Sequence, residues 1–192
     1  ALVGTIILSA LVLIAVIGPF FVQDPLLQQT SIKLQPPSLE HWFGTDDFGR
    51  DVLARIVVGA RYSLTAGLVA VGLGLLGGLI MGAFAGYYGG LLDQVIMTLC
   101  DIMLAFPSIL LAMGVVMVME PGIYTPMVAV GISSIPTFAR LVRAQFMSLR
   151  TSSFVEAVRS SGAGDLRIIF RHLLPNSLGP VIIQATLRIG SA

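Results

Sequence analysis

Long apolar runs alternate with short polar segments along the whole chain. A helix that spans a membrane needs about 20 mostly apolar residues, and the runs without a charged residue are 1–23, 62–92, 102–119, 121–139 and 173–187. This pattern predicts an all-α membrane protein with four spans and the start of a fifth. The chain opens on Ala1 and ends within the last apolar segment, so we expect a fragment of a longer protein.

The predicted organisation is a single transmembrane domain over residues 1–192. Its parts are a first span 1–22, an external loop 23–61, a second span and cytoplasmic turn 62–94, a third span 95–119, a fourth span with a cytoplasmic extension 120–150, a cytoplasmic loop 151–172 and the start of a fifth span 173–192. The first run has no small-residue cleavage site after a short apolar core, which favours an uncleaved anchor over a signal peptide.

Composition agrees with a membrane protein and limits its chemistry. Hydrophobic residues make up 56% of the chain and charged residues only 11%, whereas soluble domains average about 25% charged residues. A single cysteine, Cys100, excludes an intrachain disulfide, and two histidines exclude an all-histidine metal site. We therefore expect neither redox nor zinc chemistry.

The cytoplasmic loop is where the chain becomes charged and amphipathic. Ser153 and Glu156 have the spacing of a capping box, in which each side chain accepts a hydrogen bond from the other residue's amide. Gly162 and Gly164 offer the left-handed backbone that ends a short helix, and Asp165 can cap the next one. The sequence predicts a helix, a tight turn and a second helix that enters the fifth span near Pro175.

Glycines recur along one face of the second span. Gly74, Gly78, Gly82 and Gly86 follow one another every four residues, which places them on one side of a helix. Such a face lets two membrane helices approach closely. We favour helix packing over the alternative, a general tolerance of glycine in membrane helices, and expect a turn at 86–90.

Two residues of the third span are candidates for a translocation pathway or a gate. Asp101 is an ionisable group at membrane depth, which is a functional hypothesis by default. Pro107 is the other candidate, and in the fourth span Pro126 and Pro136 can bend the helix and free carbonyl groups, which a translocation pathway can use. For Asp101, a structural hydrogen bond is the alternative, because this residue lies about two helical turns from the preceding loop.

The external loop contains a group of polar residues that has two interpretations. His41, Asp46, Asp47 and Asp51 could form a metal site. The alternation of acids and bases favours instead a solvated loop whose aspartates cap turns, with Trp42 at the level of the lipid headgroups.

Positive charge predicts the orientation of the chain. Residues 140–172 contain six arginines and two acids, whereas the loop 23–61 contains four bases and five acids. The positive-inside rule therefore places the arginine-rich segment in the cytoplasm. Arg140, Arg143 and Arg150 fall on one helix face, so the fourth helix is expected to continue beyond the membrane.

The order of short motifs resembles a known family of transport proteins. Glu156-Ala157-Val158, followed by Gly162 and then by Leu174-Pro175, resembles the EAA loop of ABC importer permeases. The whole chain is similar to the dipeptide, oligopeptide and nickel branch of these permeases, as the second-permease (C-type) subunit. The other matching motifs are Phe43-Gly44-Thr45-Asp46, Gly49-Arg50-Asp51, Gly59-Ala60-Arg61, Ala85-Gly86-Tyr87 with Gly89-Gly90, Asp101 with Phe106-Pro107-Ser108, Ala139-Arg140-Leu141-Val142-Arg143, and the segment from His172 to Asn176. Val158 departs from the second alanine of the family motif.

The resemblance implies a type I permease fold of six spans in the bacterial inner membrane. It also implies that the short cytoplasmic helix couples the permease to ATPases, with apolar and small residues in a groove of the ATPase, charged residues at the rim and a glycine hinge. The residues assigned to this coupling are Phe154, Val155, Glu156, Ala157, Val158, Arg159 and Gly162. The alternative is a solvated helix at the membrane surface.

The partners implied by the resemblance are a second homologous permease subunit, two cytoplasmic ATP-binding subunits and an external substrate-binding protein, besides the lipid bilayer and without nucleic acid. A phosphate-binding Walker A loop needs Gly-x-x-x-x-Gly-Lys-Ser/Thr, and the one lysine, Lys33, does not follow such glycines. ATP and Mg²⁺ are therefore expected on partner subunits. This chain is expected to bind no cofactor or metal and to catalyse no reaction.

Peptides are the expected cargo, with nickel or a glutathione-like compound as alternatives. A secondary transporter without an ATPase is the competing class, and it would usually show internal repeats with broken helices, of which no repeat is visible. An intramembrane enzyme would need a buried nucleophile and base, but His41 and His172 both lie in segments expected to face water.

Overall fold

The computed structural model describes residues 2–190, which contain no β-strand apart from an isolated bridge between Thr45 and Asp51. The predicted all-α class is thus confirmed. The α-helices are α1 (Leu2–Ile17), α2 (Val52–Tyr88), α3 (Gly90–Ala105), α4 (Ser108–Val118), α5 (Tyr124–Leu149), α6 (Ser153–Ser160), α7 (Asp165–Arg167) and α8 (Leu174–Ile189). A π-helical segment, Ile168–Leu173, joins α7 directly to α8. The chain forms two compact units, residues 1–65 and 66–192.

Three helices of the described chain are long and apolar enough to cross a membrane. They are α2, α5, and α1 together with the short 3-10 turn that follows it, which gives the segment Leu2–Phe20. Together α3 and α4 pass the same test, but they are bent by 97° at the break between them. The described residues therefore contain three candidate spans, or four if the bent pair is one span. Because α8 has only 16 residues, the predicted start of a fifth span stays a prediction.

The predicted third span is not one continuous helix. Phe106 is extended, with φ −88° and ψ 138°, because a proline disfavours helical backbone in the residue before it. A new helix begins only after Pro107. The helix therefore ends before this proline, and the next helix begins at an angle of 97° to it.

Other helix boundaries also differ from the prediction. α2 begins at Val52 because the amphipathic segment before residue 62 continues into the apolar run without a helix breaker. The predicted turn at 86–90 starts later, at Gly89 and Gly90, whose φ angles of +67° and +58° favour glycine. The last helical segment begins at Asp165 and continues through the π-helical segment to α8, with Pro175 directly after that segment. The fourth helix continues to Leu149, and its extension beyond the membrane stays a prediction.

Within the first unit, aspartates organise the loop before α2. Asp46 Oδ1 accepts hydrogen bonds from the amides of Phe48 (2.9 Å) and Arg50 (3.0 Å), and Asp46 Oδ2 accepts one from Arg50 Nε at 2.8 Å. Desolvation raises the pKa of Asp46, but these hydrogen bonds and the Arg50 charge lower it to about 2. Asp51 Oδ1 caps α2, and Asp51 Oδ2 lies 2.8 Å from His41 Nδ1. Asp46 and Asp51 thus cap turns and the start of a helix. The described residues contain no group of three His, Cys, Asp or Glu placed to hold a metal ion.

Within the second unit, the glycine ladder lies against α5. A Cβ atom on Gly78 would lie 2.3 Å from Phe138 Cβ, and one on Gly82 would lie 2.4 Å from the carbonyl oxygen of Ala139. A Cβ atom on the first glycine of the ladder would lie 2.9 Å from a side-chain atom of α5, and one on the last glycine would lie 2.7 Å from another. No side chain fits at these distances unless the helices separate. The four glycines in contact with α5 are Gly74, Gly78, Gly82 and Gly86.

We predict that Gly82→Ala destabilises the protein by about 1–3 kcal/mol, because its methyl group overlaps the backbone of α5. Gly72 is a matched control, since it lies in the same helix and a Cβ there meets nothing within 4 Å. Gly72→Ala should be neutral or stabilise by up to about 1 kcal/mol. Thermal unfolding in detergent measures both variants, and equal melting temperatures would contradict close packing at the ladder.

Candidate functional site

The short helix α6 lies at the surface and has two distinct faces. Phe154 is 39% exposed, whereas Val155 is 1% exposed. Glu156, Ala157 and Arg159 are also exposed. The helix therefore offers a mixed apolar and polar surface to the outside while one of its side chains is fully buried.

The predicted capping box at the start of α6 does not form. Ser152 is the N-cap residue, and its carbonyl oxygen accepts hydrogen bonds from the amides of Val155 (3.0 Å) and Glu156 (3.2 Å). The Ser152 hydroxyl donates to the carbonyl of Leu149 instead of capping the helix. Ser153 already belongs to the first helical turn, so its side chain is not at the capping position.

The turn after α6 uses one left-handed glycine. Gly162 has φ +83°, as predicted, and its amide donates to the carbonyl of Arg159 at 3.0 Å. Gly164 is extended, with φ −70° and ψ 157°, so the prediction of left-handed backbone there is wrong. Asp165 is the first residue of α7 and makes no side-chain cap; its carboxylate is bound elsewhere.

A buried cluster connects α6 to the rest of the second unit. Val155 belongs to this cluster, and Val158 packs against it while remaining partly exposed. These two side chains are therefore directed into the core of this chain, in place of the predicted position in a partner's groove. The cluster comprises Ala83, Tyr87, Val142, Phe146, Val155, Ile168, Ile169, Leu173 and Val181. It joins α6 to the ends of α2 and α5, the π-helical segment and α8.

Tyr87, at the end of α2, binds both sides of the turn after α6. Its hydroxyl donates to Asp165 Oδ1 at 2.6 Å and accepts from Arg159 Nη2 at 3.3 Å. The Arg159 guanidinium also lies 5.9 Å from the centre of the Tyr87 ring, within the range of a cation–π interaction. The sequence places Tyr87 only in a turn, and no spacing along the chain indicates this contact across more than 70 residues.

Arg150, directly after α5, holds the end of α2. Its Nη1 donates to the carbonyls of Gly86 (3.3 Å) and Tyr87 (3.2 Å). The last carbonyl groups of a helix have no partner within the helix, so this guanidinium satisfies two of them. The arginine thereby fixes α2 beside the cytoplasmic end predicted for α5.

The other arginines of the α5 face bind α3. Arg143 pairs with Asp93 through two hydrogen bonds of 2.5 and 2.6 Å, and Arg140 pairs with Asp101 at 2.5 Å. The side chains of Arg140 and Asp101 are 52% and 60% exposed. This geometry is an ion pair between two helices, which agrees with a structural role, and a gating role of Asp101 stays a prediction.

Pro107 lies apart from the coupling residues. It occupies the break between α3 and α4 and lines a cavity on that side of the unit. Of the residues predicted to couple, the structure places Val155 in the buried cluster and Val158 against it, whereas Asp101 and Pro107 belong to the region of the broken span.

The described chain therefore combines apolar helices with an exposed amphipathic helix, α6, that is attached to their buried cluster. The family model described as "Binding-protein-dependent transport system inner membrane component" matches residues 78–192. The chain belongs to this family, and it is accordingly an inner-membrane component with several apolar helices.

Relatives narrow the family to one branch. The chain is 48% identical over its whole length to the dipeptide transport system permease protein DppC of Alkalihalophilus pseudofirmus, of which it covers 64%. It is 47% identical over 80% of its length to the glutathione transport system permease protein GsiD of Pectobacterium atrosepticum, and 48% identical over 81% to that of Escherichia coli O157:H7. It covers 51% and 52% of these two proteins, so the chain spans about half to two thirds of the relatives' length.

We predict that Tyr87→Phe loosens the attachment of α6, because it removes the hydroxyl that binds Asp165 and Arg159. The loss of a hydrogen bond to a charged group should cost about 1–3 kcal/mol. Tyr88 is the matched control, since its ring stacks on Phe84 and is 46% exposed, and Tyr88→Phe should be close to neutral. Hydrogen exchange of the amides in 153–163 measures the effect. Equal protection in both variants would show that Tyr87 does not hold the helix.

Proposed function

We propose that this chain is part of the permease subunit of an ATP-driven importer of di- and oligopeptides. The subunit forms the translocation pathway and transmits movements of cytoplasmic ATPase subunits to it. The observation that carries this proposal is the position of α6, an exposed amphipathic helix whose Val155 is 1% exposed within the core shared with α2, α5 and α8. Such a helix offers a partner both a surface and a firm connection to the membrane helices.

The surface offered to the ATPase consists of Phe154, Glu156 and Ala157, which we call the α6 docking surface. Phe154 supplies apolar area, and aromatic residues are enriched in protein interfaces. Ala157 is small, so a partner can approach the helix backbone closely. Val155 and Val158 support this surface from behind and do not contribute to it.

Coupling requires that α6 and the membrane helices move together. The buried cluster and the hydrogen bonds of Tyr87 tie α6 to the end of α2, so a displacement of α6 is passed to its neighbours. Coupling between distant sites also needs two discrete arrangements of such an element. The turn at Gly162 and the bend before Ser153 are the places where the arrangement can change.

The complete importer has further subunits in this proposal. A second homologous permease completes the pathway, an external binding protein delivers the substrate, and two cytoplasmic subunits bind ATP and Mg²⁺. The excess of arginines in 140–172 supports a cytoplasmic position for α6, where these subunits can reach it.

Peptides are the proposed cargo because the relatives are named as dipeptide and glutathione transport permeases. Glutathione is itself a tripeptide, so both names describe short peptides with free carboxylates. Nickel import by the same machinery is the alternative cargo.

We predict that Ala157→Arg prevents the ATPase subunits from binding. A buried charge without a partner costs several kcal/mol, so the amount of copurified ATPase should fall by more than about tenfold. Ala157 is exposed, so the permease itself should fold normally. The control is Ser148→Arg, which adds the same charge at an exposed position of α5 outside the α6 docking surface. Copurification from membranes is the measurement, and full recovery of ATPase with Ala157→Arg would refute the docking role.

A further inference from the structure

The helical segment between the turn after α6 and α8 carries two pairs of exposed side chains. Leu166 and Phe170 are 59% and 58% exposed, although both are large and apolar. Arg167 and Arg171 are exposed beside them. Residues four apart lie on the same side of a helix, so each pair forms a row and the two rows are adjacent. We call these four residues the α7 surface.

The opposite side of the same segment is buried. Ile168, Ile169 and Leu173 belong to the buried cluster, which also contains Val155 of α6. Since α6 packs against this side, the α7 surface is directed away from the contact with α6. It is therefore a second surface, separate from the one that α6 offers to a partner.

The two arginines of the α7 surface are unpaired within residues 2–190. In that part of the chain, neither Arg167 nor Arg171 makes a side-chain hydrogen bond or lies within ion-pair distance of a carboxylate. By contrast, Arg140, Arg143 and Arg159 each donate to another side chain. Each guanidinium of the α7 surface thus keeps its donors available for a ligand.

The α7 surface lies where the last apolar run of the chain begins. Residues 173–187 contain no charged residue, and exposed apolar side chains continue into α8 at Leu178 and Ile182. The chain belongs to a family of inner-membrane components, and the excess of arginines predicts that residues 140–172 are cytoplasmic. Basic residues directly before a membrane segment on this side lie close to anionic lipid headgroups.

We propose that the α7 surface binds an anionic phospholipid of the cytoplasmic leaflet. Leu166 and Phe170 enter the boundary between headgroups and acyl chains, as the apolar residues of interfacial helices do. Arg167 and Arg171 donate hydrogen bonds to the lipid phosphate, for which a planar guanidinium is well suited. The arrangement thus matches a lipid in both charge and layering. It does not depend on which cargo the transporter carries.

The test uses the assembled transporter, with the full-length permease, in vesicles of equimolar phosphatidylcholine and phosphatidylglycerol. A fluorophore is attached to Phe170→Cys, with Cys100 left in place because it is buried and any cysteines elsewhere in the transporter replaced by serine. Either lipid carries brominated acyl chains, which quench a fluorophore that they contact. The readout is the association constant of phosphatidylglycerol at this position divided by that of phosphatidylcholine, and we call this ratio the anionic preference.

The Phe170→Cys reporter should show an anionic preference above one, and the preference should fall as salt is raised because ions screen the attraction. Arg167→Gln and Arg171→Gln should each lower it about fivefold, the factor that corresponds to one arginine near an anionic surface. Arg171→Lys should keep most of it because the positive charge remains. The control Arg61→Gln removes an exposed arginine of α2 and should leave the preference unchanged.

A reporter on the α6 docking surface provides the control for position. The same fluorophore on Ala157→Cys should be quenched by neither lipid, because that surface is proposed to contact the ATPase. If the fluorophore at Phe170→Cys is also quenched by neither lipid, protein covers the α7 surface and the proposal fails.

Two other results would overturn the lipid site. One is equal association of the two lipids with the Phe170→Cys reporter, and the other is a preference that survives the loss of both arginines. The salt dependence needs no arginine variant, so it tests the proposal even if a glutamine variant does not assemble. Peptide uptake by the same vesicles is a separate measurement, so failure of the proposed import and failure of the lipid site are distinguished.

Discussion

The close approach of α2 and α5 is the constraint on which the second unit depends. It is possible because glycines replace side chains along one face of α2, so that the backbone and Cβ atoms of α5 occupy the space instead. Membrane helices gain little from apolar burial against each other, since lipid is equally apolar, and association rests on such packing and on polar contacts. Once the helices touch, Arg150 reaches the final carbonyl groups of α2 and Phe146 becomes fully buried.

The same constraint gives α6 its place. The ends of α2 and α5 form part of the buried cluster that receives Val155, and Tyr87 extends from α2 to bind Arg159 and Asp165. A short helix of eight residues is unstable by itself in water, so its order comes from these contacts. We infer that α6 passes a displacement to the membrane helices through these contacts, and that its arrangement changes only at the turn at Gly162 and the bend before Ser153.

The sequence predicts those features that depend on local patterns. The apolar runs, the glycine spacing and the glycine turn after α6 each have a physical reason within a few residues. The sequence does not predict the contacts that depend on distant parts of the chain. Asp165 appears suited to capping, but Tyr87 occupies its carboxylate. In the sequence, Val155 and Val158 look available to a partner. Only the fold reveals that residues 168–173 lie behind them.

Arg188 illustrates the same limit. It follows an apolar run and, by sequence alone, marks only the end of that run. In the fold it binds Thr137 and lines the cavity beside α4. Pro107, at the helix break, lines the same cavity. Helix breaks and charges beside apolar runs are therefore recognised from sequence as candidates, whereas their partners are known only from the fold.

The central claim is that α6 forms the contact with the ATPase, and cross-linking tests it most directly. Cys100 is the one cysteine in residues 1–192 and is 0% exposed, so Ala157→Cys provides the accessible thiol of this stretch, and any cysteines elsewhere in the transporter are replaced by serine. A short thiol-reactive photo-cross-linker attached there in the assembled transporter should join this chain to an ATP-binding subunit. Cross-links from position 157 only to lipid or to other subunits, in a transporter that still hydrolyses ATP and imports its substrate, would contradict the claim.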